Sequence, residues 1–121
     1  MLKYLLAATL FLAPVSTQAR ERVADDGNEL LKFCTETDPD TDSFYQAMCL
    51  GYIRGADATL LLWAGANEAT PYCPPSNVTV GQLKDVVVSY LRRNPNIRHE
   101  SAPLLILKAE IAAWPCNKVR T

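Results

Sequence analysis

Residues 43–65 read SFYQAMCLGYIRGADATLLLWAG, and this stretch decides the fold class. Its apolar and small residues recur at the i, i+3, i+4, i+7 spacing of an amphipathic helix. The residues on this stripe are Phe44, Ala47, Met48, Gly51, Tyr52, Gly55, Ala58, Thr59 and Leu62. No segment of the chain alternates apolar and polar residues as a half-buried strand would. The sequence therefore predicts an all-α domain.

Two glycines, Gly51 and Gly55, lie one turn apart on this stripe. Glycine weakens a helix interior by about 1 kcal/mol relative to alanine, so a pair of glycines predicts that another backbone packs closely there. Arg54 and Asp57 lie on another side of the same helix. Their spacing of three residues allows them to form an ion pair.

Three further segments have helical periodicity, and capping signals mark where two of them begin. Asp26 and Glu29 have the spacing of a capping box, and so have Thr79 and Gln82. In such a box, each side chain accepts a hydrogen bond from the other residue's backbone N–H. The predicted helices span about residues 28–36, 80–94 and 101–114.

The last of these helices is unusually apolar. Pro103 is acceptable in its first turn, where backbone N–H groups lack partners anyway. Lys108 and Glu110 are its only charged residues. A helix of this composition is either central to the domain or shared with a second subunit. Together with residues 43–65, the segments predict a compact four-helix domain.

The N-terminus has the three parts of a secretion signal. Lys3 gives it positive charge, residues 5–13 form a short apolar run, and Ala19 ends a Thr-Gln-Ala sequence of the kind that signal peptidase reads. The run is too short to span a membrane. We expect export through the Sec pathway into the periplasm. The predicted parts are a signal peptide over 1–19, a flexible segment over 20–26, a helical domain over 27–116 and a tail over 117–121.

Charge and composition exclude several classes of partner. Cleavage after Ala19 removes Lys3, so that 11 of the 12 basic residues remain against 13 acidic ones, a net charge of −2. The absence of a basic patch in the sequence argues against nucleic acid as a partner. No second long apolar stretch follows the signal, so we expect no membrane attachment after cleavage. No phosphate-binding loop or metal-ligand cluster in the sequence points to a cofactor or a metal.

Four cysteines follow the signal, and an even number in an exported domain predicts two disulfides. Three pairings are possible. Cys34 falls near the end of the first helix and Cys49 near the start of the second, with a short connection between them. This favours a Cys34–Cys49 bond, which leaves Cys73 to bond Cys116. A zinc site would need closely spaced ligand pairs, and the cysteines are too widely scattered for that.

His99 is the only histidine, so any Cys–His or Ser–His–Asp chemistry would have to use it. Cysteines held in disulfides are not nucleophiles, because the thiolate is the reactive form. His99 lies between Arg98 and Glu100, just before a predicted helix, and an exposed loop or cap residue is the simpler interpretation. We therefore predict that the protein is not an enzyme.

Several short motifs follow one another along residues 27–116. They are Gly27-Asn28-x-Leu30-Leu31-x-x-Cys34, then Cys49-Leu50-Gly51-Tyr52-Ile53-x-Gly55-x-Asp57, Cys73-Pro74, Gln82-x-x-x-Val86-Val87-x-x-Tyr90-Leu91-x-x-x-Pro95, Ala102 and Trp114-Pro115-Cys116. In this order they resemble the Rap/Tai family of immunity proteins from type VI secretion systems. The resemblance covers nearly the whole predicted mature chain.

The resemblance implies an all-helical periplasmic protein that binds a peptidoglycan-degrading amidase effector and occludes its active site. Such effectors cut peptidoglycan peptides with a Cys–His pair of their own, and the immunity protein protects the cell that makes it. The resemblance also implies a homodimer. The matching residues are cysteines, glycines and core positions, so no inhibitory residue is transferred to this chain.

We expect the partner to be contacted by the irregular stretch over 65–78 and the turn over 94–100. The candidate residues in or beside them are Tyr72, Arg93, Arg98 and His99, all of types that are usually exposed. Inhibition by occlusion needs only a rigid scaffold and a complementary patch. The alternative is that both segments are plain connectors.

Two other functional interpretations stay open. A small periplasmic acid-stress chaperone of the helical, disulfide-bonded type would share the size and compartment, and would expose apolar surface on acidification. The sequence has no obvious cluster that titrates near neutral pH, which weighs slightly against this interpretation. The second is a domain that keeps the family scaffold but has lost its toxin.

Overall fold

The computed structural model describes residues 24–67 and 71–116, which form four α-helices. They are α1 (Gly27–Cys34), α2 (Asp42–Ala66), α3 (Val80–Arg93) and α4 (Ala102–Ala113), with a short 3-10 turn at Pro95–Ile97 before α4. These residues contain no strand, only an isolated bridge between Asp26 and Ser101. The predicted all-α, four-helix class is confirmed. The predicted signal peptide over 1–19, residues 20–23 and the predicted tail over 117–121 lie outside the described residues.

The N-terminal caps fix where two helices begin. At α3 the capping box is complete: the Gln82 N–H donates to Thr79 Oγ1 over 3.2 Å, and the Thr79 N–H donates to Gln82 Oε1 over 2.9 Å. At α1 the Asp26 carboxylate accepts from the Glu29 N–H, as predicted. The Glu29 carboxylate instead accepts from the N–H of Asp25, over 2.7 Å. The predicted box at α1 is therefore only half formed.

The core lies between all four helices, and each helix packs against the other three. Helix α4 buries five of its twelve residues, so its apolar composition fits a place in the core. Leu104 and Ile111 nevertheless remain about two-fifths exposed on its outer side. The fully buried core side chains are Leu30 of α1, Cys49 and Ile53 of α2, Val87 and Leu91 of α3, and Ala102, Leu105 and Ile106 of α4.

Helix α2 buries a different face from the one that its sequence predicted. Cys49, Ile53 and Asp57, each four residues apart, point into the core. Phe44 and Leu62, at the two ends of the predicted stripe, are 64% and 75% exposed. The prediction was wrong because α2 is apolar on more than one side, so that periodicity alone could not select the buried face. Because Cys49 bonds Cys34 at the end of α1, the face of α2 that carries Cys49 is the one that lies against α1.

The closest approach of a backbone to a glycine occurs at Gly27, not in α2. A Cβ at Gly27 would meet the Leu105 side chain, and would lie 3.0 Å from both the Arg98 carbonyl oxygen and Leu91 Cδ2. A Cβ at Gly51 or Gly55 would meet nothing within 4 Å. Within residues 24–67 and 71–116, the backbone that the two glycines led us to expect is therefore not found.

Both predicted disulfides are confirmed. Cys34–Cys49 joins the end of α1 to α2 with a Cα–Cα distance of 5.1 Å, and both of its residues are buried. Cys73–Cys116 joins the irregular segment before α3 to the residues after α4, with a Cα–Cα distance of 4.9 Å. Both cysteines of this second bond are exposed.

Residues 24–26 are held against the domain. The Tyr52 hydroxyl donates to the Ala24 carbonyl over 3.0 Å, and the Ala102 N–H donates to the Asp25 carbonyl over 3.1 Å. Ala24 itself is 4% exposed. The expectation of a flexible segment through residue 26 therefore does not hold for its last three residues.

Candidate partner-binding surface

The irregular segment before α3 is anchored to the end of α4. We call its described part, residues 71–78, the 71–78 loop. The Cys73 N–H donates to the Trp114 carbonyl over 2.8 Å, beside the Cys73–Cys116 disulfide. Pro75, Ser76 and Asn77 are exposed on its far side. The loop therefore offers a short, covalently tethered surface.

Tyr72 is not part of that surface. Its side chain is 0% exposed, so the expectation that it is an exposed contact residue was wrong. The ring fills space under the loop, and its hydroxyl donates to Asp57 Oδ1 of α2 over 2.5 Å. A buried phenol needs such a polar partner. Desolvation, with the hydrogen bond to Asp57 as the second cause, raises the pKa of Tyr72 well above its ordinary value.

The other three predicted contact residues lie around the end of α3 and the turn that follows it. Arg93 and His99 are exposed, and Arg98 is half-buried. The Arg98 guanidinium donates through Nε to the Leu91 carbonyl over 2.6 Å and through Nη2 to the Arg92 carbonyl over 3.3 Å. It thereby satisfies carbonyls that the helix leaves without partners. Arg98 thus shapes the turn that presents its two exposed neighbours.

A buried acidic cluster, which the sequence did not indicate, lies beneath the 71–78 loop. Asp57 is 3% exposed, and its second carboxylate oxygen pairs with Arg54 over 2.6 Å, which confirms the predicted ion pair. Glu110 of α4 is 0% exposed, and neither of its carboxylate oxygens has a hydrogen-bond partner. Desolvation, and then the Asp57 charge, raise the pKa of Glu110 to about 7, although interaction with Tyr72 opposes the shift.

An open apolar groove of about 480 Å³ runs along α2 where the start of α4 passes it. Gly51 and Gly55 form part of its floor, because neither has a side chain and no described residue covers them. The other lining residues are Tyr52, Ala56, Thr59, Leu60 and Pro103. Leu62, one turn beyond Thr59 on the same helix face, continues this apolar surface into solvent.

The described residues hold no assembled catalytic or metal site. All four cysteines are oxidised, so His99 has no thiol among them to activate. No group of three or more histidine, cysteine, aspartate or glutamate side chains in residues 24–67 and 71–116 is placed to bind a metal. Within the same ranges, no helix has the length and apolar character needed to cross a bilayer. The feature of the described residues that could serve a function is a rigid surface with exposed apolar and basic side chains.

Comparison with known proteins gives one match. A family model described as Rap1a immunity proteins matches residues 26–116, from the N-cap of α1 to the last disulfide cysteine. No curated protein and no solved structure matches the chain. The matched range contains all four helices and both disulfides. The chain therefore belongs to the Rap1a immunity protein family.

Proposed function

We propose that this protein is a periplasmic immunity protein that binds a peptidoglycan-degrading amidase effector of a type VI secretion system and occludes its active site. The observation that carries the proposal is the family match over residues 26–116. The secretion signal expected over residues 1–19 would deliver the protein to the compartment that contains the effector's substrate. A cell that makes such an effector needs its inhibitor in the same place.

The scaffold suits inhibition by occlusion rather than catalysis. Binding a partner costs less when the contacting surface is already ordered, because fewer side chains and loops lose freedom. Here one disulfide fixes α1 to α2 and the other ties the 71–78 loop to the end of α4. The polar groups of the α3–α4 turn are also held, by the two hydrogen bonds from Arg98.

The proposed contact surface consists of the exposed part of the 71–78 loop together with Arg93 and His99. Arginine is enriched among the residues that dominate binding energy, and its guanidinium pairs well with carboxylates. Arg98 is assigned a positioning role in this proposal, because its guanidinium is already committed to backbone carbonyls. Tyr72 has no direct role in contact.

A periplasmic toxicity assay tests the immunity function. The amidase effector encoded nearest to this protein is exported to the periplasm of a test bacterium, with and without this protein, and lysis is followed. We expect rescue that requires residues 1–19. If the folded protein is present in the periplasm and lysis is unchanged, this effector is not its target and the proposal fails for it.

Charge reversal of Arg93 together with His99→Ala tests the contact surface within that assay and by titration calorimetry against the purified effector. We expect affinity to fall by about tenfold to a hundredfold, the range for losing one or two central contacts. Lys32→Glu is the matched control, since Lys32 is exposed on α1. Equal affinity for all three proteins would remove this surface while leaving immunity itself untouched.

We further propose that the protein is a homodimer, with α2 of one copy packed against α2 of the other along the apolar groove. Gly51 and Gly55 allow a helix to approach closely, yet no helix in the described part of the chain does so. The exposed stripe continues from Phe44 to Leu62, a distance of about 27 Å along a helix. A two-fold dimer would cover this stripe on both copies at once.

A further inference from the structure

Glu110 is a carboxyl group buried without any hydrogen-bond donor. Its side chain is 0% exposed, and both of its oxygens lack a partner. The nearest hydroxyl, on Tyr72, donates its single proton to Asp57 over 2.5 Å. Burial of an ionised carboxylate without donors is unfavourable, so the closed, dry site favours the protonated form of the group.

A neutral Glu110 completes a chain of hydrogen-bonding groups. Its own O–H can donate to the Tyr72 oxygen, which still has a lone pair after donating to Asp57. Asp57 in turn accepts from Tyr72 on one oxygen and pairs with Arg54 on the other. With the proton on Glu110 every member has a partner, and without it two carboxylates share one apolar site.

Among residues 24–67 and 71–116, no other charged group compensates Glu110. Asp57 of α2 and Tyr72 of the 71–78 loop are the groups that interact with it, and Arg54 is committed to Asp57. On α3, Asp85 and Arg93 line a separate cavity with Ala109, on the neighbouring side of α4. On α1, Glu29 bonds the Asp25 backbone and Lys32 is exposed. Lys108, two residues away on α4, pairs with Glu100.

The cluster also secures the 71–78 loop. Tyr72 is the loop's buried side chain, and its hydroxyl donates a hydrogen bond from the loop to Asp57 of α2. The next residue, Cys73, is tied to the end of α4 through its N–H and its disulfide. Any change that expels the Tyr72 hydroxyl therefore releases the loop from α2, while the disulfide keeps it attached to α4.

We propose that Glu110, Tyr72 and Asp57 form a proton-operated latch, which holds the 71–78 loop against α2 when Glu110 carries its proton and releases the loop when Glu110 loses that proton to water. Opening lets water reach the new carboxylate and the Asp57 carboxylate beside it. The raised pKa of Glu110, about 7, agrees with a latch that responds between mildly acidic and mildly alkaline pH. The latch does not depend on the proposed inhibitory function.

Amide hydrogen exchange, followed by NMR, tests the latch. Because Cys73 directly follows Tyr72, release of the loop from α2 is expected to free the Cys73 N–H from the Trp114 carbonyl as well, so this N–H reports loop opening. Its exchange rate is compared with the rate of an unprotected amide at the same pH. The ratio of the two rates cancels the common effect of pH on intrinsic exchange. With Glu110 titrating near its ordinary 4.5 in the open loop and near 7 in the closed one, we expect relative opening of Cys73 to rise about tenfold or more between pH 5.5 and 8.

Glu110→Gln has nearly the same shape as glutamate and cannot ionise, so the ratio of the two exchange rates is expected to be independent of pH in this variant. The latch requires the loop to open at a smaller free energy than that of unfolding the whole domain, so an opening free energy at Cys73 equal to the free energy of unfolding at both pH values would overturn it. A wild-type ratio that does not change with pH would overturn it as well. The wild-type measurement tests the latch by itself, so the test does not depend on whether the glutamine variant folds.

Discussion

At Gly27 the chain leaves no room for a side chain. An alanine methyl would be forced against Leu105 and to 3.0 Å from the Arg98 carbonyl oxygen, which belongs to the backbone and cannot easily move. We expect Gly27→Ala to lower the free energy of unfolding by about 1–3 kcal/mol, the usual cost of overpacking a core. Urea denaturation followed by circular dichroism measures this loss.

Gly65→Ala is the matched control for Gly27→Ala. A Cβ at Gly65 meets nothing within 4 Å, and this residue lies in the last turns of α2. Alanine is the better helix former, so we expect no loss and a gain of up to about 1 kcal/mol. If both variants lost the same free energy of unfolding, the close approach at Gly27 would not be the cause of the loss.

Glu110 makes the free energy of unfolding depend on pH. Its folded pKa, about 7, lies above the ordinary value of 4.5, so the folded state binds more protons between these values. The stability is therefore complete below about pH 4.5 and decreases as pH rises towards 7. We expect wild type to be less stable at pH 8 than at pH 5 by up to about 2.5 kcal/mol. Urea denaturation at the two pH values measures the difference.

Glu110→Gln should remove that difference, because an amide does not titrate. The comparison of the two proteins at each pH isolates Glu110, because every other residue is the same in both. If the difference between pH 5 and pH 8 were the same in the variant, other groups would be responsible. The buried carboxyl would then contribute nothing to the pH dependence.

Single residues differ in how far the sequence predicts their environment. The capping box at Thr79 and Gln82 was predictable, because its hydrogen bonds join residues three apart. Tyr72 was not, since its direction is set by Asp57, which is 15 residues earlier in the sequence. Glu110 gave the opposite signal, because a charged residue among apolar ones in a helix usually marks the exposed side.

Among the connecting elements, the two disulfides differ in exposure and in loop length. Cys34–Cys49 is buried and its residues are separated by 15 positions, whereas Cys73–Cys116 is exposed with a separation of 43. We expect a mild reductant to open Cys73–Cys116 first, because thiol exchange needs access to the sulfur. Alkylation of the freed thiols followed by mass spectrometry identifies the order.

Loss of each disulfide should have a distinct consequence. In the chain-entropy model the longer loop is worth about 4 kcal/mol and the shorter one about 3 kcal/mol. Cys73→Ser with Cys116→Ser should therefore lower the urea midpoint more than the corresponding change at Cys34 and Cys49, provided that strain and packing contribute equally. If the mild reductant opened Cys34–Cys49 before Cys73–Cys116, the order of reduction predicted from exposure would be wrong.

The residue range of α2 was predicted correctly from the sequence, whereas the face that it buries was not. Its length and ends follow from composition and breakers, and they agree with the structure within one residue. Its buried face follows from tertiary contacts, namely the bond from Cys49 to Cys34 and the bond from Asp57 to Tyr72. The stripe that looked like a core face is therefore the exposed one.

For the whole molecule, the direction of the pH effect separates the two functional interpretations. An acid-stress chaperone of the helical type would have to expose apolar surface as pH falls. Protonation of Glu110 has the opposite effect here, because it stabilises the closed site. The effect of this group, which the sequence did not reveal, is therefore opposite to the opening on acidification that the chaperone interpretation requires. We propose that a second copy of the chain covers the exposed apolar stripe on α2.

Sedimentation equilibrium tests the dimer through a matched pair of threonine substitutions. Thr59 lines the groove on α2, whereas Thr37 is exposed in the connection between α1 and α2. We expect wild type and Thr37→Arg to have twice the monomer mass. Thr59→Arg should have the monomer mass, because a buried unpaired charge at a helix crossing costs several kcal/mol. The Thr59 hydroxyl donates only to the Gly55 carbonyl of its own helix, so its loss should leave the monomer folded. A dimer that survives Thr59→Arg would place the interface elsewhere, and the apolar groove would then be available to the effector.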